Sequence, residues 1–269
     1  MGRQMRVALC FSGMIRTLDR TYPNIRAHLL EPLHPDVFIH TYDRMGLSKE
    51  NDTEVSEAWL DDFFRPATTK IVSLEENNTR FLRERDRLYS LPGPIGPGGI
   101  ARETIWKLRN VLSQLWHVQQ CDFLRQEYEA KQGFHYDLVI RARTDNLFLS
   151  TPNPLGQLGL SSFPEKTVFV PDHAAYGGVC DQFAMGERES MRAHCDYYSH
   201  FEETFCSRPL LLRYYGAAEG LLKRYHLRIA GLTPVAFRFP FEIQRENETQ
   251  IQGHVDDAFF RKHILKEAA

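Results

Sequence analysis

The sequence has no large net charge of either sign, and it contains few cysteines. Its formal net charge is −2 over 269 residues, so no global basic field points to nucleic acid or to an anionic membrane surface as a partner. Any anion that the chain binds must therefore meet arginines that are placed locally. The five cysteines include no CxxC pair, and their spacing fits neither a zinc ribbon nor a disulfide scaffold.

Long hydrophobic runs are also lacking. The apolar run VALCF at residues 7–11 is too short for a signal-peptide core or a transmembrane span. Together with the cysteine usage, it favours a soluble protein in the reducing cytoplasm. What is present is an ordinary globular composition, with 42% hydrophobic and 25% charged residues. A chain of this length and composition can bury the core of one large domain.

The first 42 residues predict a βαβ unit. An apolar run over Met5–Phe11 predicts a buried strand, residues 16–33 predict a helix, and Asp36–His40 predicts a second strand. Strand, helix and strand in this order imply a parallel sheet with a right-handed crossover.

The rest of the chain continues the alternation. Further strands are predicted at 70–73, 136–148, 167–170 and 235–239, and helices at 54–64, 103–131, 190–198 and 209–225. The Gly- and Pro-rich stretch 91–99 predicts a loop. We therefore expect a single α/β domain with a central, mostly parallel sheet flanked by helices.

Polar residues follow the first predicted strand in the stretch CFSGMIRT. Ser12 and Gly13 would place a hydroxyl and free backbone N–H groups at the carboxyl edge of the sheet, where α/β folds bind ligands. Arg16 would lie near the start of the following helix, within reach of a phosphate or carboxylate. The spacing is not that of a P-loop, and a purely structural turn remains the alternative.

A second polar group, Thr41, Tyr42 and Asp43, follows the second predicted strand. On a parallel sheet these residues reach the same edge as Ser12 and Gly13. They can hold a nucleoside, with the aromatic ring against the base and the carboxylate on the ribose or base. The alternative is a strand exit capped by polar side chains.

The stretch YDLVIRARTDNLF places charges directly behind a buried strand. If the strand continues, Arg141, Arg143 and Asp145 lie on one face, because side chains alternate along a strand. The carboxylate suits Mg²⁺ or Mn²⁺, and the arginines suit a diphosphate. The alternative is an internal arginine–aspartate ion pair that only stabilises the sheet.

Three further candidates lie in the second half. Asp181 and Gln182 interrupt an apolar stretch before a predicted helix, as a general base, a group that binds an acceptor hydroxyl, or a helix N-cap. Glu219 is the lone acid of an apolar helix start. His254 can supply a distant metal ligand, although a solvated turn explains its neighbourhood equally well.

Taken in order, VALCFSGMIRT, PDVFIHTYD, YDLVIRARTDNLF and CDQFAMGERESM resemble small bacterial and viral glycosyltransferase-like proteins of the GT-A type, over about residues 5–195. The resemblance implies a GT-A-like, Rossmann-like sheet, with a nucleotide-sugar-binding half over about 1–150 and an acceptor-side half over 151–269. It implies a donor site near Ser12, Gly13, Arg16 and Asp43. It also places Asp145 where such enzymes carry an Asp-x-Asp metal motif.

This sequence departs from that motif, because it reads Thr144-Asp145-Asn146 and has one carboxylate instead of two. A divalent metal, Mn²⁺ or Mg²⁺, is still expected at Asp145, with His254 as a possible remote ligand. Arg141 and Arg143 can take over part of the charge neutralisation, which would make the enzyme less dependent on metal.

The sequence thus favours an enzyme of glycan biosynthesis that moves a sugar from a nucleotide-diphosphate sugar to a saccharide or glycan acceptor. Asp181 is the candidate base, and Gln182 and Glu219 are candidates for contacting the acceptor. Two alternatives stay open: a nucleotidyltransferase that uses the same sheet edge, and a sugar-binding module that has lost catalysis.

Overall fold

The structure is a computed structural model that describes residues 5–45, 53–90, 102–175, 178–207, 217–244 and 249–250. The predicted loop at 91–99 and His254 lie outside these residues. The chain begins with the expected βαβ unit. Strand β1 (Val7–Ser12) is followed by helix α1 (Leu18–Ile25), which continues through a π-helical stretch (Arg26–Leu30) into α2 (Glu31–Leu33). Strand β2 (Asp36–Tyr42) then lies parallel to β1.

The middle of the chain extends this unit. Helix α3 (Glu57–Asp61) and strand β3 (Thr68–Val72) are followed by α4 (Leu74–Ser90), the long α5 (Arg102–Gln132) and strand β4 (Leu138–Ala142). A separate short strand β5 (Asn146–Phe148) and helix α6 (Pro154–Leu158) come next.

The last third alternates short elements. It contains β6 (Thr167–Pro171), β7 (Phe183–Gly186), α7 (Arg188–Cys195), a 3-10 stretch (Asp196–His200) and α8 (Phe201–Ser207). Helix α9 (Ala217–Tyr225) runs into a π-helical stretch (His226–Ala230), and β8 (Thr233–Phe237), β9 (Phe241–Gln244) and β10 (Thr249–Gln250) follow.

The central sheet has seven strands in the order β3-β2-β1-β4-β7-β6-β8, and a small sheet has the order β10-β9-β5. In the central sheet β7 is antiparallel to both of its neighbours, while the other four pairings are parallel. The prediction of an α/β fold with a mostly parallel sheet is confirmed. Because β1 to β4 run in one direction, their carboxyl ends share one edge.

Helices α5 and α7 contact each other and lie on the same face of the sheet. Helix α5 packs across β1 and β2, and α7 packs on β4, β6 and β7. Along β1, Cys10 contacts Cys121 of α5, whereas its neighbour Phe11 lies 5.0 Å from Phe64, ring centre to ring centre. This alternation explains why β1 is apolar from Val7 to Phe11: both of its faces are buried there, as expected for a central parallel strand.

Candidate functional site at the carboxyl edge of the sheet

The turn after β1 is built around Gly13. Its φ is +95°, a conformation that side chains other than glycine rarely adopt, and its N–H donates to the His40 carbonyl of β2 at 3.0 Å. A Cβ at this position would meet open space, so Gly13 leaves the backbone accessible. Next to it, the buried Ser12 hydroxyl has no hydrogen-bond partner among the described residues.

Of the three polar residues expected after the second strand, Thr41 and Tyr42 belong to β2 itself, and Asp43 follows it. The Tyr42 hydroxyl lies 2.5 Å from Ser113 Oγ of α5 and lines a cavity at the sheet edge. Thr41 is buried, and Asp43 Oδ1 accepts from the Leu74 backbone N–H at 3.0 Å, at the first turn of α4. The Asp43 carboxylate therefore accepts from a backbone N–H that has no partner within α4.

The expected continuation of β4 through Asp145 is wrong. The strand ends at Ala142, and a turn at Thr144 and Asp145 follows. Arg141 therefore belongs to the strand, while Arg143 bends back onto Asp145. Its Nε donates to Asp145 Oδ1 at 2.8 Å and its Nη2 to Oδ2 at 2.6 Å.

Contacts from α1 and β9 explain the change of direction after β4. The Thr21 hydroxyl of α1 donates to the Thr144 carbonyl, and Asn24 bonds both the N–H and the carbonyl of Phe148. On the other side, the Gln244 N–H of β9 donates to the Asp145 carbonyl at 2.8 Å. The segment thus leaves the central sheet and joins the small one, because of contacts with residues about 100 or more positions away in the sequence.

Two arginines surround the buried Asp145 carboxylate. Besides Arg143, Arg16 Nη1 lies 3.4 Å from Asp145 Oδ2. Burial disfavours the charged form of Arg143, but the Asp145 carboxylate and its hydrogen bonds outweigh burial and raise the pKa of Arg143. The internal ion pair that the sequence offered as an alternative is therefore present, although Arg143 keeps 20% of its side chain exposed.

Arg141 differs from Arg143, because nearby negative charge does not fully offset the effect of burial on its pKa. Its side chain is almost completely buried, and its Nη1 donates to the backbone carbonyl of Asp181. Burial lowers the pKa of Arg141, and the charge of Asp181 acts in the opposite direction. The Nε of Arg141 has no partner among the described residues.

Asp181 reaches the same edge by a route that the sequence did not predict. Residues 183–186 form strand β7, where the sequence predicted no strand, and β7 is antiparallel to β4, with Phe183 opposite Ala142. The start of β7 therefore lies beside the carboxyl end of β4. There Asp181 Oδ2 accepts from Gln114 Nε2 of α5 at 2.8 Å.

The two acceptor candidates lie around Asp181. Gln182 is buried, and its carbonyl lies 3.5 Å from Asn146 Nδ2. Glu219 is at the first turn of α9, and its carbonyl accepts from the Val179 N–H at 3.1 Å. Burial and the charge of Asp181 raise the pKa of Glu219 to about 8. Glu219 is therefore mostly protonated at neutral pH.

The cavity at this edge measures ≈130 Å³. Its charged lining residues in the described part of the chain are all arginines: Arg16, Arg109, Arg141 and Arg143. The sequence interpretation missed the contribution of the helices, namely Asn78 of α4 and Arg109, Asn110, Ser113 and Gln114 of α5. A signal was present, because Arg109 and Ser113, and likewise Asn110 and Gln114, are four residues apart and so lie on the same side of α5.

A wider depression of ≈620 Å³ is lined by Asp61, Asp62, Arg65 and Pro66. Pro66 closely precedes β3, so this depression lies at the amino ends of the parallel strands. None of the predicted site residues lines it, and the smaller cavity at the carboxyl edge is the better candidate site.

A divalent metal does not fit the residues that surround Asp145. Both carboxylate oxygens already accept from guanidinium groups, and a cation there would face Arg143 and Arg16 at close range. Among the residues that the structure describes, no group of three or more His, Cys, Asp or Glu side chains can hold a metal ion.

Comparison with known proteins gives limited similarity. A family profile described as a domain of unknown function (DUF7796) matches residues 106–202. No curated protein matches the chain. Among solved structures, the chain is similar to the apo form of mouse xyloside xylosyltransferase 1, with 10% identity, a TM-score of 0.44, and coverage of 87% of this chain and 84% of that one.

The mostly parallel sheet with flanking helices is consistent with a GT-A-like α/β fold. Within the described ranges, no helix has the length and apolar character needed to cross a membrane.

Proposed function

We propose that the protein is a glycosyltransferase that moves a sugar from a nucleotide-diphosphate sugar to a saccharide or glycan acceptor. The observation that carries this proposal is the cavity at the carboxyl edge of the sheet, whose charged lining consists of four arginines, with the Asp181 carboxylate held directly behind its wall. Ligands of α/β sheets bind at this edge.

The arginines suit the donor side of such a reaction. When the glycosidic bond to a nucleoside diphosphate breaks, the electron pair moves to the leaving phosphate oxygen, and negative charge develops there. Guanidinium groups fixed near the phosphates stabilise that charge as it forms. Ser12, Gly13 and Tyr42 line the same cavity and provide polar contacts for the donor.

Asp181 suits the acceptor side. The acceptor hydroxyl oxygen forms a bond to the anomeric carbon as the carbon–phosphate-oxygen bond breaks, and the hydroxyl proton passes to a base. In an inverting reaction we assign that base to Asp181, which Gln114 orients through its 2.8 Å hydrogen bond. The protonated Glu219 can donate a hydrogen bond to an acceptor oxygen, and Gln182 is the second acceptor candidate. In this arrangement residues of about 1–150 bind the donor, and 151–269 face the acceptor.

A panel of nucleotide-diphosphate sugars tests the proposal by two measurements on the full chain. A bound donor should raise the melting temperature by mass action on the folded state, and it should be hydrolysed or transferred with release of nucleoside diphosphate. Absence of both effects contradicts the proposal.

Two other outcomes identify the alternatives. Release of pyrophosphate instead of nucleoside diphosphate indicates a nucleotidyltransferase. Donor binding without turnover, against a broad set of saccharide acceptors, indicates a binding module. The pairing of the Asp145 carboxylate with Arg16 and Arg143 is the observation that favours a binding module.

A further inference from the structure

We propose that this site binds the diphosphate of its ligand through arginine side chains without a divalent cation, and that Arg109 of α5 is one of the binding residues. The inference rests on the proposed function only in taking the ligand to be a diphosphate. The inference concerns which groups neutralise the charge of the diphosphate. It also adds Arg109, a residue of helix α5, to the candidates at the strand ends.

The first argument is the balance of charge around the cavity. Asp145 accepts from Arg143 and lies near Arg16, and Asp181 lies beside Arg141. Arg109 differs, because its hydrogen bonds within the described residues go to a neutral group, the Asn110 amide oxygen, at 3.3 Å from Nε and 3.1 Å from Nη2. No carboxylate of the described residues pairs with Arg109, and an anion in the cavity would supply the missing negative charge.

The second argument is a set of buried polar atoms that lack partners. Ser12 Oγ and Arg141 Nε are both buried, both belong to residues that line the cavity, and neither has a hydrogen-bond partner among the described residues. Such atoms are costly to leave unsatisfied. A diphosphate, which has many acceptor oxygens, satisfies a hydroxyl and a guanidinium N–H together.

The third argument concerns size. A volume of ≈130 Å³ is well below the roughly 300–1,000 Å³ of sites that enclose a whole drug-sized ligand. It suits the phosphates of a nucleotide sugar and not the complete molecule. Open space at Gly13 allows a ligand to approach the backbone closely at this point.

A divalent cation would have to compete with these arginines. Asp145 is the expected ligand, yet its Oδ1 and Oδ2 accept from Arg143 at 2.8 and 2.6 Å. Freeing the carboxylate for a metal would leave Arg143 partly buried beside a second cation. The arginines therefore neutralise the phosphate charge that a metal ion neutralises in a site with two carboxylates.

Calorimetric titration of the full chain tests the inference, with inorganic pyrophosphate and with a nucleoside diphosphate as probes, in excess EDTA and in Mn²⁺. We expect both probes to bind in EDTA, with a Kd within about threefold of that in Mn²⁺. We expect Arg109→Gln to weaken binding by about 10- to 100-fold and Arg109→Lys to have an intermediate effect, because lysine keeps the charge and loses the guanidinium fork.

Arg87→Gln is the matched control. Arg87 lies on α4, pairs with Glu202 at 2.7 Å and is outside the cavity, so this variant should bind both probes like the wild type. Arg143→Gln is less informative than Arg109→Gln, because it removes the closest partner of the buried Asp145 and is expected to destabilise the fold. Circular dichroism of Arg109→Gln verifies that its fold is intact.

Three results overturn the inference: binding that requires Mn²⁺, wild-type affinity in Arg109→Gln, or no binding of either probe in any condition. The outcomes also separate it from the proposed function. Metal-free diphosphate binding without sugar transfer supports the inference and contradicts the function, whereas sugar transfer that depends on Mn²⁺ supports the function and overturns the inference.

Discussion

Arg143 holds Asp145 in a two-point contact across a single intervening residue, with Nε to Oδ1 at 2.8 Å and Nη2 to Oδ2 at 2.6 Å. The aspartate is buried, whereas the arginine keeps 20% of its side chain exposed towards the cavity. The residue expected to bind a metal is therefore paired with an arginine. This ion pair holds Arg143 at the arginine-lined cavity on which the proposed anion site rests.

The ion pair makes Asp145 a residue with a role in stability. We expect Asp145→Asn to lower the free energy of unfolding by about 1–3 kcal/mol, because the buried partner of two guanidinium groups loses its charge. Urea denaturation measures the change. Asp86→Asn is the control: Asp86 also pairs with an arginine, Arg85, but is 65% exposed, so its loss should cost less than about 1 kcal/mol. Equal effects of the two variants would contradict this role.

Asp181 should govern turnover more than donor binding. If it is the base of the transfer reaction, Asp181→Asn should lower kcat by about 10²- to 10⁴-fold while the Kd of the donor stays close to that of the wild type. The helix offers a matched control, because Gln119 donates to Asp196 at 2.8 Å as Gln114 donates to Asp181. Asp196→Asn should leave kcat unchanged. A kcat of wild-type size in Asp181→Asn would remove Asp181 from the mechanism.

Glu219 should make the protein less stable as the pH rises. Burial and the charge of Asp181 raise its pKa to about 8 in the folded state, from 4.5 for the free side chain. Between these values the folded state holds a proton that the unfolded state has lost, so the free energy of unfolding falls with rising pH, by up to about 1.4 kcal/mol per unit.

The variant Glu219→Gln imitates the protonated side chain and removes this loss. Its stability relative to the wild type should therefore increase from pH 5 to about pH 8 and then level off, as followed by urea denaturation. A stability difference that does not vary with pH would show that Glu219 is charged in the folded protein.

Buried histidines should act in the opposite direction at acid pH. Burial lowers the pKa of His226 to about 3, and burial together with the charge of Lys70 lowers the pKa of His40 to about 4. Below about pH 6.5 the unfolded chain takes up protons that the folded state excludes. These histidines therefore reduce the free energy of unfolding as the pH falls from 6.5 towards 4.

His226 lies 2.8 Å from His194 through ring nitrogens, and a neutral pair can share this hydrogen bond. We expect His226→Gln to reduce the slope of stability against pH between 6.5 and 4 by up to about 1.4 kcal/mol per unit. The slope is read from urea denaturation, and it is independent of any constant destabilisation by the substitution. An unchanged slope would assign the acid sensitivity to other groups.

The sequence alone determined the central parallel strands β1, β2 and β4 and the edge at which the candidate site lies. Apolar runs such as residues 7–11 and 37–39 are buried on both faces, and burial on both faces requires consecutive apolar residues. Since parallel strands end at a common edge, Ser12, Tyr42 and Arg141 could be placed together before any contact was known. The polar stripe of α5 was equally local, and it was overlooked because the helix was interpreted only through its apolar positions.

Only the tertiary structure decided what the charged residues do. The turn after Ala142 depends on Thr21, Asn24 and Gln244, which are distant in the sequence, and period-two alternation cannot anticipate them. Asp181 arrives at the site because β7 runs antiparallel to β4, a pairing that local propensity does not specify. The sequence supplied an aspartate and arginines near one strand end, and long-range packing determined that they neutralise each other in part and leave an arginine-lined cavity.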